Sequence, residues 1–176
     1  MFTKLPHKVV YYGDKRLTAP NETITEITAE LKKEIRAMVK IMFKYNGIGL
    51  AGPQAGINKR IVVIDMSFGK TEDELLVLLN PEIVAMSDDT EVMEEGCLSF
   101  PKLYIPVTRS LKVTVEAMSI KGEKMRFDAE GFFARVLQHE IDHCNGVEMV
   151  DRIDAVERMA ISDKLSQIKE LAEIPE

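Results

Sequence analysis

The sequence predicts an α+β fold, with mixed or antiparallel strands packed around a central helix and one further helix towards each end of the chain. Three observations predict it. Apolar residues recur at helical spacing around 28–45, 128–145 and beyond 154. The segment between the first two reads as short apolar runs ended by turn-prone residues, which is strand behaviour. No strand–helix–strand unit repeats, which argues against a parallel sheet. The 176 residues also carry no internal repeat, low-complexity tract or Gly/Ser linker, so residues 1–176 are expected to form a single domain.

The first helix is expected from Thr28 to Tyr45. Thr28 can cap it, Glu30 suits the positive first turn, and Asn46-Gly47 supplies a stop. Leu31, Ile35, Met38, Val39, Met42 and Phe43 form its buried stripe. RIVVID (60–65) and LLVLLN (75–80) read as strands, the second closed by Pro81. LKVTVEAM (111–118) alternates as a half-buried strand does, and Lys121-Gly122 marks the next turn. The second helix takes Asp128 as cap and Phe132, Phe133, Val136, Leu137 and Ile141 as its apolar side, and Asn145-Gly146 ends it. A last helix starts at Asp154, where Asp154 and Glu157 have capping-box spacing. It continues through Val156, Met159, Leu165, Ile168 and Leu171.

Composition narrows the function. Forty-five per cent hydrophobic residues can fill a core. Twenty-three basic against 29 acidic side chains give a formal charge of −6, so neither direct nucleic-acid binding nor attraction to an anionic membrane is expected. No apolar run approaches the roughly 20 residues that cross a bilayer. The opening MFTKLPHKVVYYGDKR has no apolar stretch or cleavage site, so a cytoplasmic location is expected. An organellar protein with its presequence removed would read the same way. Cys97 and Cys144 are expected as thiols or metal ligands, not as a disulfide.

Chemistry concentrates in QHEIDH (138–143), which holds two of the three histidines. Four residues make slightly more than one helical turn, so the His139 and His143 rings share a face and can reach one metal ion, with Glu140 beside them to move protons. A catalytic site needs a third protein ligand and an open position. Cys97, in EEGCLSFP (94–101), is the better candidate. Cys144 points about 100° away from His143 around the helix and suits a small buried hydrophobe. Glu157 would serve an HExxH zinc endopeptidase, the first rival reading, although capping explains it. A structural metal site closed by Cys144 is the second.

GIGLAGPQ (47–54), EGCLS (95–99) and QHEIDH, in this order, resemble the three signature motifs of peptide deformylase, and the resemblance covers most of the chain. It implies a metal-dependent hydrolase that removes the N-formyl group from the N-terminal formylmethionine of nascent polypeptides. It implies Cys97, His139 and His143 as ligands of one divalent ion, Fe2+ physiologically, with Zn2+ or Ni2+ as substitutes. Glu140 becomes the general base and then acid, while Gln54 and the Leu98 N–H hold the developing oxyanion. Ile48 and Gly49 pair with the substrate main chain like an added strand. N-formylmethionyl peptides are the implied partners, with at most a transient ribosome contact and no membrane. The motif's usual second alanine is Gly52 here, which is expected to loosen the turn. Phe132 and Val136 are candidates for the methionine pocket, and Arg109 for a bridge between Glu95 and Asp142 that steadies the ligands.

Overall fold

The computed structural model describes residues 8–71 and 74–173. At their centre lies strand β2 (Ile61–Asp65), in which every residue is buried. Successive side chains of a strand point to opposite faces, so such a strand needs a layer on each side. Ile61 and Val63 join the cluster built on helix α1 (Ala29–Lys44), whereas Val62 and Ile64 join the one built on helix α2 (Gly131–Cys144). One sheet is thereby held between two helices.

That sheet has β1 (Gly49–Ala51), β2, β3 (Leu75–Met86), β6 (Lys112–Met118) and β7 (Lys124–Glu130) in this order, every neighbour antiparallel. A separate antiparallel pair joins β4 (Thr90–Cys97) to β5 (Phe100–Ser110). The inward residues of β5, Leu103, Ile105 and Val107, form a third cluster with Leu165 and Ile168 of helix α4 (Ser162–Ala172). The α+β expectation holds, with antiparallel pairing throughout the named strands. Among the described residues no helix is long and apolar enough to cross a membrane.

Helix α1 follows its sequence signals: the Thr28 hydroxyl accepts the Leu31 N–H at 3.1 Å. Its buried stripe, however, includes Ile41, while Phe43 is exposed. Four further expectations are corrected. Pro81 does not end β3, because an irregularity in the pairing with β6 between Leu79 and Glu82 carries the strand past a residue that cannot donate to the ladder. Asp128 does not cap α2. It lies in β7, accepts the Thr114 hydroxyl, and leaves Glu130 as the residue before the helix. The last helix breaks at Ile161 into α3 (Ala155–Ala160) and α4, leaving Val156 and Met159 exposed. Gly52 does not loosen its turn: a Cβ there would sit 2.4 Å from the Lys59 carbonyl oxygen, closer than an alanine can approach.

Just past α2, Glu148 is buried with its Oε1 lacking a hydrogen-bond partner among the described residues. Burial and the Asp151 charge push its pKa up to about 7, against Arg158. A carboxyl raised in the folded state holds its proton more tightly there. Its contribution is therefore full below the unfolded value and is lost as pH rises towards 7. Glu148→Gln should leave the melting temperature unchanged near pH 4, below the unfolded value, and raise stability at pH 8 by on the order of 1–3 kcal/mol. Equal melting shifts at both pH values would contradict the assignment.

Candidate active site

Two segments far apart in the sequence meet on one side of α2. From β4 comes the half-buried Cys97, and from α2 come His139 and His143, both buried. One ligand atom from each lies within 4.8 Å of the others. Cys97 Sγ is 3.3 Å from His143 Nε2, and the two imidazole centroids are 5.1 Å apart. Metal–sulfur bonds of about 2.3 Å and metal–nitrogen bonds of about 2.0–2.1 Å separate tetrahedral ligand atoms by roughly 3.3–3.6 Å, a span the Cys97–His143 pair fits. Cys144 stays apart. It is buried, its Sγ lies 3.7 Å from the Ile61 carbonyl oxygen, and burial pushes its thiol up to about 12. Glu157 accepts the Asp154 N–H at 3.0 Å in the cap of α3, so the ligand an endopeptidase would need is engaged elsewhere.

The donor set suits a cation on electrostatic grounds as well. Burial alone would lower the pKa of His139, yet Cys97 and Glu95 raise it well above the ordinary value. The surroundings therefore favour positive charge at that ring, which a metal ion would supply in place of the proton. His143 moves the other way, held well below its usual value by burial and by the charges of His139 and Arg109. Its ring is neutral, as ligation requires. His139 Nδ1 lies 3.0 Å from Glu95 Oε2, which fixes the tautomer with Nε2 available.

Glu140 adjoins this cluster. Burial raises its carboxyl to about 7, and its Oε2 has no hydrogen-bond partner among the described residues. Space for it comes from Gly49 of β1, where a Cβ would stand 2.4 Å from Glu140 Oε1. Gln54, buried in the short 3-10 turn Gly52–Ala55, is oriented at both ends. Its Oε1 accepts the Ala51 N–H at 2.8 Å, and its Nε2 donates to Cys97 Sγ at 3.3 Å and to Ser99 Oγ at 3.4 Å. A cavity of about 600 Å³ opens onto these groups. Ile48, Gly49, Leu98, Phe132 and Val136 all line it. The Ile48 carbonyl accepts the Asp65 N–H at 2.8 Å, which aims it at β2 and away from the open edge of β1.

Beneath the cluster runs a chain of buried ion pairs. Arg109 donates from Nε to Glu95 Oε1 at 2.9 Å, from Nη2 to Glu95 Oε2 at 3.0 Å and from Nη1 to Asp142 Oδ2 at 2.5 Å. Two arginines missed in the sequence extend it. Arg135 Nη1 donates to Glu95 Oε1 at 2.7 Å and to the Val107 carbonyl at 2.8 Å. Arg152 grips Asp142, with Nε 2.9 Å from Oδ2. Arg135 lies one helical turn before His139, a buried charge in an apolar stretch, and that spacing could have flagged it. Nothing in VDRID (150–154) singles out Arg152. Burial would raise the pKa of Glu95, but hydrogen bonds from His139 and Arg109 and the Arg109 charge hold it down at about 2.

The polypeptide deformylase family model matches residues 6–159. The chain belongs to the polypeptide deformylase family. It is 39% identical over 162 residues to the peptide deformylase of Thermotoga maritima, covering 92% of this chain and 96% of that one. To the Natranaerobius thermophilus enzyme it is 46% identical over 151 residues, 86% and 94% of the two chains. A crystal structure of a plant peptide deformylase superposes with a TM-score of 0.90 at 35% identity, over 99% of this chain and 97% of that one. The Synechococcus elongatus peptide deformylase, solved with actinonin, gives 0.86 at 40% identity, over 94% and 89%. The protein is thus an enzyme of a metal-dependent family, and its reaction is hydrolytic removal of the N-formyl group of nascent polypeptides.

Removing one member of a buried ion-pair group leaves an uncompensated charge, at a cost of about 3–5 kcal/mol. Arg109→Met leaves Glu95 with Arg135 and His139 and Asp142 with Arg152, so it should destabilise by up to, and not beyond, about 3–5 kcal/mol in urea unfolding. A change below about 1 kcal/mol would show that the network does not hold the hairpin to α2.

Proposed function

We propose that Cys97, His139 and His143 hold one divalent ion, Fe2+ in the cell and Zn2+ or Ni2+ as substitutes, and that the cavity above takes a formylmethionyl peptide. The observation that carries this reading is the convergence of a thiol and two imidazoles, within 4.8 Å, beside a buried carboxyl and an oriented amide. An ion so held supplies Lewis-acid chemistry, lowering the pKa of water from about 15.7 towards 7 and polarising a carbonyl.

The chain's own groups do the rest. Glu140 accepts the proton of the attacking water and then returns it to the departing amine, a task suited to a carboxyl raised to about 7. As the formyl carbon becomes tetrahedral its oxygen gains charge, and the Gln54 Nε2–H and Leu98 N–H donate to it. The Ala51 N–H fixes the Gln54 amide the right way round for this, with its nitrogen towards Cys97. Formate and a free N-terminus leave. Gly49 positions the peptide main chain at the open edge of β1 with Ile48 beside it, its carbonyl engaged by Asp65, and Phe132 and Val136 receive the methionine side chain. Glu95, Arg109 and Asp142 steady the ligand-bearing segments. The substrate is the cytoplasmic nascent chain, met in a transient ribosome contact.

Formate release from formyl-Met-Ala-Ser tests this directly. It should stop with a chelator and be absent with the acetylated peptide. Glu140→Ala should keep the metal and abolish turnover. Gln54→Ala should also keep the metal while lowering kcat by about 100- to 1000-fold, the usual effect of losing one oxyanion donor. Undiminished kcat would remove Gln54 from that role. Iron-loaded enzyme should lose activity in air faster than zinc-loaded enzyme, because a ligating thiolate and ferrous iron both oxidise.

A further inference from the structure

The loop leaving β2 carries a side chain the hydrolysis does not use. Phe68 has a φ of 57°, in the left-handed region that bulky L residues avoid, and it is 61% exposed. The conformation is imposed by its neighbours. The buried Asp65 carboxylate accepts the Ser67 N–H at 2.8 Å, the Ser67 hydroxyl at 2.6 Å and the Gly69 N–H at 2.9 Å. Phe68 belongs to none of the three core clusters, and among the described residues no aromatic ring stacks on it. It does line the cavity that holds His139 and Glu140. A ring displayed on unfavourable backbone, fixed by a buried carboxylate, adds nothing to the fold and much to a binding surface.

Its place along the cavity follows from the strands. Gly49 abuts Glu140 and marks the reacting end. The Ile48 carbonyl accepts the N–H of Asp65, where the loop begins, so the loop adjoins the neighbour of Gly49 and not Gly49 itself. A peptide lying at the edge of β1 as an added strand presents its first and third side chains on the same side, about 6.4–6.8 Å apart. Phe68, Phe132 and Val136 line one cavity, and with the first side chain between Phe132 and Val136 the third lies further out along it.

We propose that Phe68 is a specificity-determining residue that packs on the third side chain of the formyl peptide and selects apolar residues there. The inference rests on the substrate reading above and adds a preference beyond methionine. The experiment compares wild type, Phe68→Ala and Phe68→Gly on C-terminally amidated formyl-Met-Ala, formyl-Met-Ala-Phe and formyl-Met-Ala-Asp. The glycine variant suits the left-handed backbone and guards against a folding defect. Wild type should show a KM about tenfold lower for the Phe peptide than for the Asp peptide. Both variants should erase that difference by raising KM for the Phe peptide at constant kcat, and should match wild type on the dipeptide. Variants that keep the preference, or a wild type without one, would overturn the proposal. An effect of equal size on the dipeptide would place Phe68 against the first side chain and overturn it equally. Absence of formate from all three peptides with wild type would instead sink the deformylation reading itself.

Discussion

The Glu95 carboxylate is the interaction on which the site depends. It receives Arg109 from β5 and Arg135 and His139 from α2, so one buried anion ties the hairpin to the helix. Cys97 lies two residues further along the same strand, just past an irregularity in the β4–β5 pairing between Gly96 and Cys97. Fixing Glu95 against α2 therefore brings the thiol of Cys97 towards the histidine pair. The anchoring continues at Asp142, one turn past His139, which Arg109 and Arg152 hold together. A buried carboxylate is tolerable only when its lone pairs are met, and here cationic donors meet them from several elements.

The same surroundings drive two glutamates apart. Glu95, ringed by donors, is held near 2 and stays charged as a structural anion. Glu140, buried beside Gly49 with one oxygen unpartnered, is raised to about 7 and can exchange a proton near neutrality. Carboxyls separated in this way can hold different duties within one site. Close backbone approach makes the arrangement possible. Gly49 leaves room for the Glu140 carboxyl, and Gly52 lets the Gln54 turn pass against the Lys59 carbonyl. A methyl group at position 49 would collide with the proposed proton carrier Glu140, and one at position 52 with the Lys59 carbonyl.

Where sequence and structure part, the cause is tertiary. The β4–β5 hairpin escaped notice because most of β4 is exposed and shows no apolar alternation, even though β5 alternates well. Pro81 read as a stop because a proline cannot join a regular ladder, but a pairing irregularity absorbs it. Val156 and Met159 match the helical period and are nonetheless exposed, since the helix breaks at Ile161 and only α4 lies on the hairpin.

Sequence alone determined the α+β class, the capped first helix, the buried character of β2 and Cys144, and the three motifs that mark the family. All of these rest on local period, capping chemistry or residue type within a short window. Only the tertiary structure decided that Cys97 lies 3.3 Å from His143, that Arg135 and Arg152 complete the ion-pair chain, and that Phe68 faces the cavity. Those are contacts between residues far apart along the chain. Their geometry is set by how sheet, hairpin and helix pack, which no periodicity in a single segment encodes.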